Sequence, residues 1–81
     1  MSIQHVLDDL RLNRFAITSH AVQRMSERGV MRKDIRSVGD SCSSWAVQAN
    51  GRFKIKGRDS EGDDLTVICV YDGETLVVTL F

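Results

Sequence analysis

Near residue 40 the hydrophobic period of this chain changes from that of a helix to that of a strand, and the change divides it in two. Before it, Ile3, Val6, Leu7 and Leu10 recur at helical spacing, and so do Ala21, Val22 and Met25. After it, Trp45, Val47 and Ala49, then Phe53 and Ile55, alternate with polar or small residues. Gly39 and the run Asp40-Ser41-Cys42-Ser43-Ser44 separate the two regimes. A helical half followed by a strand half implies an α+β domain, with helices laid on an antiparallel sheet.

Ser2 is placed to cap a first helix, and Thr18 or Ser19 a second that ends at Gly29. Asp8 and Asp9, past the first turn of the first helix, read as solvating groups. Residues 13–18 read as a connector whose Phe15 and Ile17 pack inward. A third helix is expected over residues 32–38, with Val30, Ile35 and Val38 facing the core. In the second half, Asn50-Gly51 signals a two-residue hairpin turn. Residues 60–63 and Asp72-Gly73 make the next two turns, around a nearly all-apolar central strand at residues 65–71. Residues 76–81 complete the sheet. The expected architecture is two to three N-terminal helices packed on a four-stranded antiparallel β-meander, in one domain over residues 1–81.

Composition narrows the function classes. Hydrophobic residues make up 42% of the 81 and charged residues 27%, a globular mix. No apolar run approaches the ~20 residues of a membrane span. The start, Met1-Ser2-Ile3-Gln4-His5, lacks a basic region followed by an apolar stretch, so the cytoplasm is the expected location. Net charge is zero. Residues 1–36 nevertheless hold seven Lys/Arg against four acids, and residues 37–81 four against seven, a +3/−3 division that can focus an anion on one face. Cys42 and Cys69 stand alone and read as thiols, Cys69 inside an apolar strand.

The most informative segment lies at residues 19–30, SHAVQRMSERGV. His20, Arg24 and Arg28 are four apart, so a helix presents them as one stripe, while Ala21 and Met25 lie on another face. Arginine offers planar, bidentate donors matched to phosphate oxygens, and histidine exchanges protons near neutrality. Metal-free RNA cleavage needs such a set: a base for the ribose 2′-OH, an acid for the leaving oxygen, and cations around the crowded phosphorus. The same residues also fit ordinary exposed helix pairs and a histidine in a capping region. Arg52, Lys54 and Lys56 alternate along one strand, either a solvated edge that resists aggregation or an RNA-backbone contact. Thr79 and Tyr71 can add hydroxyls. No zinc spacing and no twelve-position calcium loop is present, so no metal or other cofactor is expected.

The run SHAVQRMSERGV, followed by Asp34-Ile35, resembles the bacterial and phage family called domain of unknown function 4258. Its members look like S-x-H-A-x-x-R-M-x-x-R-G-[IV], then a meander with a basic strand and a last strand containing V-x-T or V-T. Here Val77-Val78-Thr79 is the C-terminal match, and the resemblance spans residues 17–81. The element order is similar to that of the metal-independent ribonuclease toxins of the RelE and BrnT type. The resemblance implies an endoribonuclease or toxin-like component, with RNA as substrate and a protein antitoxin as partner. On it His20, Arg24 and Arg28 are candidate catalytic residues, and Arg52, Lys54, Lys56 and Thr79 candidate RNA contacts. The alternatives are a non-catalytic binding or regulatory module on the same scaffold, and a homodimer formed through an exposed edge of the last strand.

Overall fold

The computed structural model describes residues 2–81. Helix α1 (Ile3–Arg11) begins where the Ser2 hydroxyl accepts the His5 N–H at 3.3 Å. Strand β1 (Phe15–Ile17) leads into α2 (Ser19–Arg28). The cap of α2 is Thr18, whose hydroxyl accepts the Ala21 N–H, and Gly29 ends it at φ +68°. Helix α3 (Arg32–Ser41) and strands β2 (Ser44–Val47), β3 (Phe53–Arg58), β4 (Asp64–Tyr71) and β5 (Thr75–Leu80) follow.

The sheet corrects the expected four-stranded antiparallel meander. It has five strands in the order β1-β5-β4-β3-β2, and β1 runs parallel to β5, pairing Phe15 with Thr75 and Ile17 with Val77. The supposed connector at residues 13–18 is therefore partly a strand. Three residues without alternation carry too little periodic signal to reveal a partner 60 positions away. The pairing also closes the β5 edge once assigned to a homodimer. Beyond β1, the Thr18 hydroxyl donates to the Val78 carbonyl at 2.9 Å and the Arg24 Nε to the Leu80 carbonyl at 3.4 Å.

Two local expectations also change. Gln48 N–H donates to Arg52 O and Gly51 N–H to Gln48 O, so the β2–β3 loop has three residues, Ala49, Asn50 and Gly51. Gly51, at φ +81°, occupies the left-handed position that such a loop requires. Ala49 and Arg52 consequently fall outside the strands. Helix α3 continues past residue 38 through Gly39, which is a contact point and not a breaker. A Cβ built there would lie 2.7 Å from Leu10 Cβ, 2.8 Å from Arg11 N and 2.9 Å from Leu7 O. Glycine is what allows α1 and α3 to cross this closely.

Helices α1 and α3 pack on one face of the sheet, and the core lies between. Val6 and Leu10 of α1 and Ile35 and Val38 of α3 are fully buried against Ile55, Val67, Val77 and Leu80. Asp34 fastens the same layer to the β3–β4 turn. Its carboxylate accepts the Met31 N–H at 2.8 Å, the Ser60 N–H at 3.0 Å and the Ser60 hydroxyl, with the residue only 6% exposed. Burial pushes this carboxyl up, but the Ser60 hydroxyl, the Met31 and Ser60 amides and nearby Lys33 outweigh it and hold it below its ordinary value.

A depressed folded-state pKa stabilises the fold above the unfolded value near 4, and that contribution disappears as pH falls through the folded value. Wild type should therefore lose stability between pH 5 and the more acidic range in excess of an Asp34→Asn variant. The variant should already be weaker at pH 7, by about 1–2 kcal/mol. Urea midpoints measured against pH check this, and parallel curves for the two proteins would refute it.

Candidate functional site

Helix α2 carries the stripe singled out in the sequence, and the structure distributes its three residues among different environments. His20 is exposed, and no side-chain hydrogen bond holds its imidazole among the described residues. Arg24 is half-buried and joined through Nε to the Leu80 carbonyl, which leaves its terminal nitrogens without a described protein partner. Arg28 is exposed and lines a cleft of about 210 Å³ together with Lys33 and the acidic turn residues Asp59, Glu61 and Asp63. Arg24 thus reaches the end of β5, while Arg28 shares its cleft with carboxylates.

The basic strand lies on the sheet face opposite α1 and α3. Phe53, Ile55 and Gly57 are buried toward the helices, so Lys54 and Lys56 must project the other way. Register then places side chains in rows: Lys54 beside Ile68 beside Thr79, and Lys56 beside Thr66. Thr66 in turn exchanges both backbone hydrogen bonds with Phe81. A register shift at Ile68/Cys69 leaves Val78 unpaired between Val77 and Thr79 and returns Thr79 to this outer face. Lys54, Lys56 and Thr79 are therefore brought together, whereas Arg52 stands just before β3, where its carbonyl closes the hairpin loop.

The two rows approach each other at the end of β5. Arg24 reaches the Leu80 carbonyl from α2, and the Lys54 Nζ lies 5.8 Å from the centre of the Phe81 ring. Adjacent residues of the chain are thus held by a guanidinium on one side and an ammonium on the other.

A second polar group went unnoticed in the sequence. Asp9, read as a solvating residue, is only 7% exposed. Its carboxylate accepts the hydroxyl of Thr75, itself fully buried, at 2.7 Å. It also lies 3.3 Å from His5 Nε2 and 3.4 Å from Arg14 Nε. Tyr71 meets the His5 ring edge-on at 5.4 Å between centroids, so its place is in this cluster and not beside Thr79. The available signal was position: Asp9 follows Val6 by three and precedes Leu10, inside the apolar stripe of α1.

The thiols are accounted for by burial. Cys69 is fully buried and its pKa is pushed up to about 12, while Cys42, half-buried at the end of α3, is also raised by burial. Among the described residues, no three His, Cys, Asp or Glu side chains converge to hold a metal ion. No helix of the described residues is long and apolar enough to cross a membrane.

Three helices on a mixed sheet, with a cationic row on the free face, define a small α+β domain with a candidate anion-binding surface. Residues 17–81 match the family described as Domain of unknown function (DUF4258), and the chain belongs to that family. The match takes in the last residue of β1, Ile17, then α2, α3 and β2 through β5 with every stripe and strand residue above, but not α1, Arg14 or Phe15. No curated protein and no solved structure matches the chain.

Proposed function

We propose that this chain acts on RNA, as a metal-independent endoribonuclease of the RelE-like toxin kind held in check by a protein antitoxin. The observation that carries the reading is the convergence of Arg24 and Lys54 on Leu80 and Phe81, one turn of α2 away from His20. A phosphodiester laid along this end of the sheet meets the free nitrogens of Arg24, then Lys54 and Lys56. His20 takes the 2′-OH proton as that oxygen bonds to phosphorus. The bond to the 5′-oxygen breaks, that oxygen takes a proton from solvent, and a 2′,3′-cyclic phosphate remains. The cations offset the charge that grows on the phosphoryl oxygens. The RelE likeness rests on the order of helices and strands; the His-Ala-x-x-Arg-Met-x-x-Arg-Gly motif belongs to the family match.

One observation favours a second reading, a non-catalytic RNA- or protein-binding module. Among the described residues His20 has no hydrogen-bonded partner of the kind that usually orients a catalytic imidazole.

Both readings can be tested with end-labelled single-stranded RNA in the presence of a chelator. Wild type should cleave it, and His20→Ala should lose about 10²-fold or more in rate while still binding. Lys54→Ala/Lys56→Ala should bind more weakly and flatten the salt dependence by roughly 0.7 per lost phosphate contact. In cells, induced wild type should arrest growth and His20→Ala should not. Binding without cleavage would move the assignment to the second reading, and neither would remove RNA from both.

A further inference from the structure

We infer that β2 is a dimerisation strand, pairing antiparallel with β2 of a second copy about a two-fold axis at Ala46. The two edges of the sheet are treated differently. On the β1 side, the Phe15 carbonyl accepts Arg32 Nη2 at 2.8 Å, and Thr18 and Arg24 occupy the Val78 and Leu80 carbonyls. Along β2 the Cys42 thiol reaches the Ser44 carbonyl, but Trp45 and Val47 have no such cover among the described residues. All four of its residues are exposed, and it contains no charge, no proline and no register shift against β3. Those are the devices by which edge strands normally avoid pairing.

The free edge also has a defined register. Gln48 donates to Arg52 across the ladder, so by alternation Ala46 faces β3, while the N–H and C=O groups of Trp45 and Val47 point outward. These two residues pair with Ile55 and Phe53, which puts their side chains on the helix-covered side of the sheet. They extend that apolar layer beyond α3 and are left 49% and 58% exposed. A two-fold axis at Ala46 sets Trp45 opposite Val47 of the partner subunit and Val47 opposite the partner's Trp45. Each large apolar residue then covers the other's counterpart, and both hydrogen-bonding pairs close reciprocally.

A second copy fits this edge on charge as well. The strand is neutral and so is the whole chain. The Lys54 rows of the two copies would stand three strand spacings apart, roughly 14 Å, on the opposite face from Trp45. That exceeds the screening length of about 8 Å at physiological salt, so the rows do not oppose association.

Sedimentation of wild type from micromolar to near-millimolar concentration should show the mass doubling. Emission from Trp45, the sole tryptophan, should shift to the blue in step with it. Val47→Lys should stay monomeric throughout with an unchanged far-ultraviolet spectrum, since the residue is 58% exposed and its backbone groups point to the free edge. In a Cys42→Ser background, Ala46→Cys should cross-link to itself under mild oxidation, because opposed non-hydrogen-bonded residues bring Cα atoms to about 4.5 Å. Trp45→Cys should cross-link far more slowly. A wild type that remains monomeric, a dimer that withstands Val47→Lys, or one that the Ala46→Cys link fails to trap would each overturn the inference.

Discussion

Replacing Gly39 with alanine should destabilise the protein by at least about 2 kcal/mol, although alanine is the better helix former by about 1 kcal/mol. The new methyl would sit 2.8 Å from Arg11 N and 2.9 Å from Leu7 O. These are backbone atoms of α1, so no rotamer change relieves the contact and the two helices must separate. Separation opens the layer holding Val6, Leu10, Ile35 and Val38, all fully buried. In a domain of this size the loss corresponds to a fall in Tm of roughly 10–15 °C. Thermal denaturation followed by circular dichroism measures it, with Arg36→Ala, at an exposed position of the same helix, as the control. A fall no larger than the control's would mean that α1 moves aside without cost.

The second large effect is expected at Asp9. Asp9→Ala leaves the fully buried Thr75 hydroxyl without its partner and releases His5 and Arg14, a loss of about 2–4 kcal/mol. Thr75→Val alone should cost less, because the carboxylate keeps its contacts to His5 and Arg14. The double variant Asp9→Ala/Thr75→Val should be less damaged than the sum of the two, since neither partner is then orphaned. Urea denaturation of the four proteins gives the coupling. Strict additivity would show that the 2.7 Å bond contributes nothing specific.

The fold class was legible because period is a strong signal in long segments. Both α1 and α2 carry capping hydroxyls and apolar stripes, and β3 and β4 alternate or run apolar for six and eight residues. What escaped was non-local or short. The three residues of β1 acquire strand geometry only from β5, sixty positions on. Gly39 looked like punctuation because sequence cannot say which helix lies against it. Asp9 looked solvated because its partner Thr75 is distant in the chain. For the candidate site, helical spacing did place His20, Arg24 and Arg28 in one row, and strand alternation placed Lys54 and Lys56 on one face. Sequence could not show that Arg24 would be anchored on Leu80, that Arg28 would share a cleft with an acidic turn, or that β3 would begin only after Arg52.

The manner in which α2 is attached has a consequence for its motion. Its only fully buried side chain is Ala21, with Met25 partly buried against the core, and its hydrogen bonds to the sheet are those of the Thr18 amide and hydroxyl to Val77 and Val78 and of Arg24 to Leu80. The β3 and β4 strands share an unbroken six-pair ladder. Helix α2 is thus a separate cooperative unit that opens more readily than the sheet. Its amides should exchange with solvent deuterium through local opening, well before those of β3 and β4, which require global unfolding. Equal protection of both would make the helix part of the core unit. The helix that carries His20 is then the most loosely held of the three, free to adjust while the lysines on β3 stay fixed.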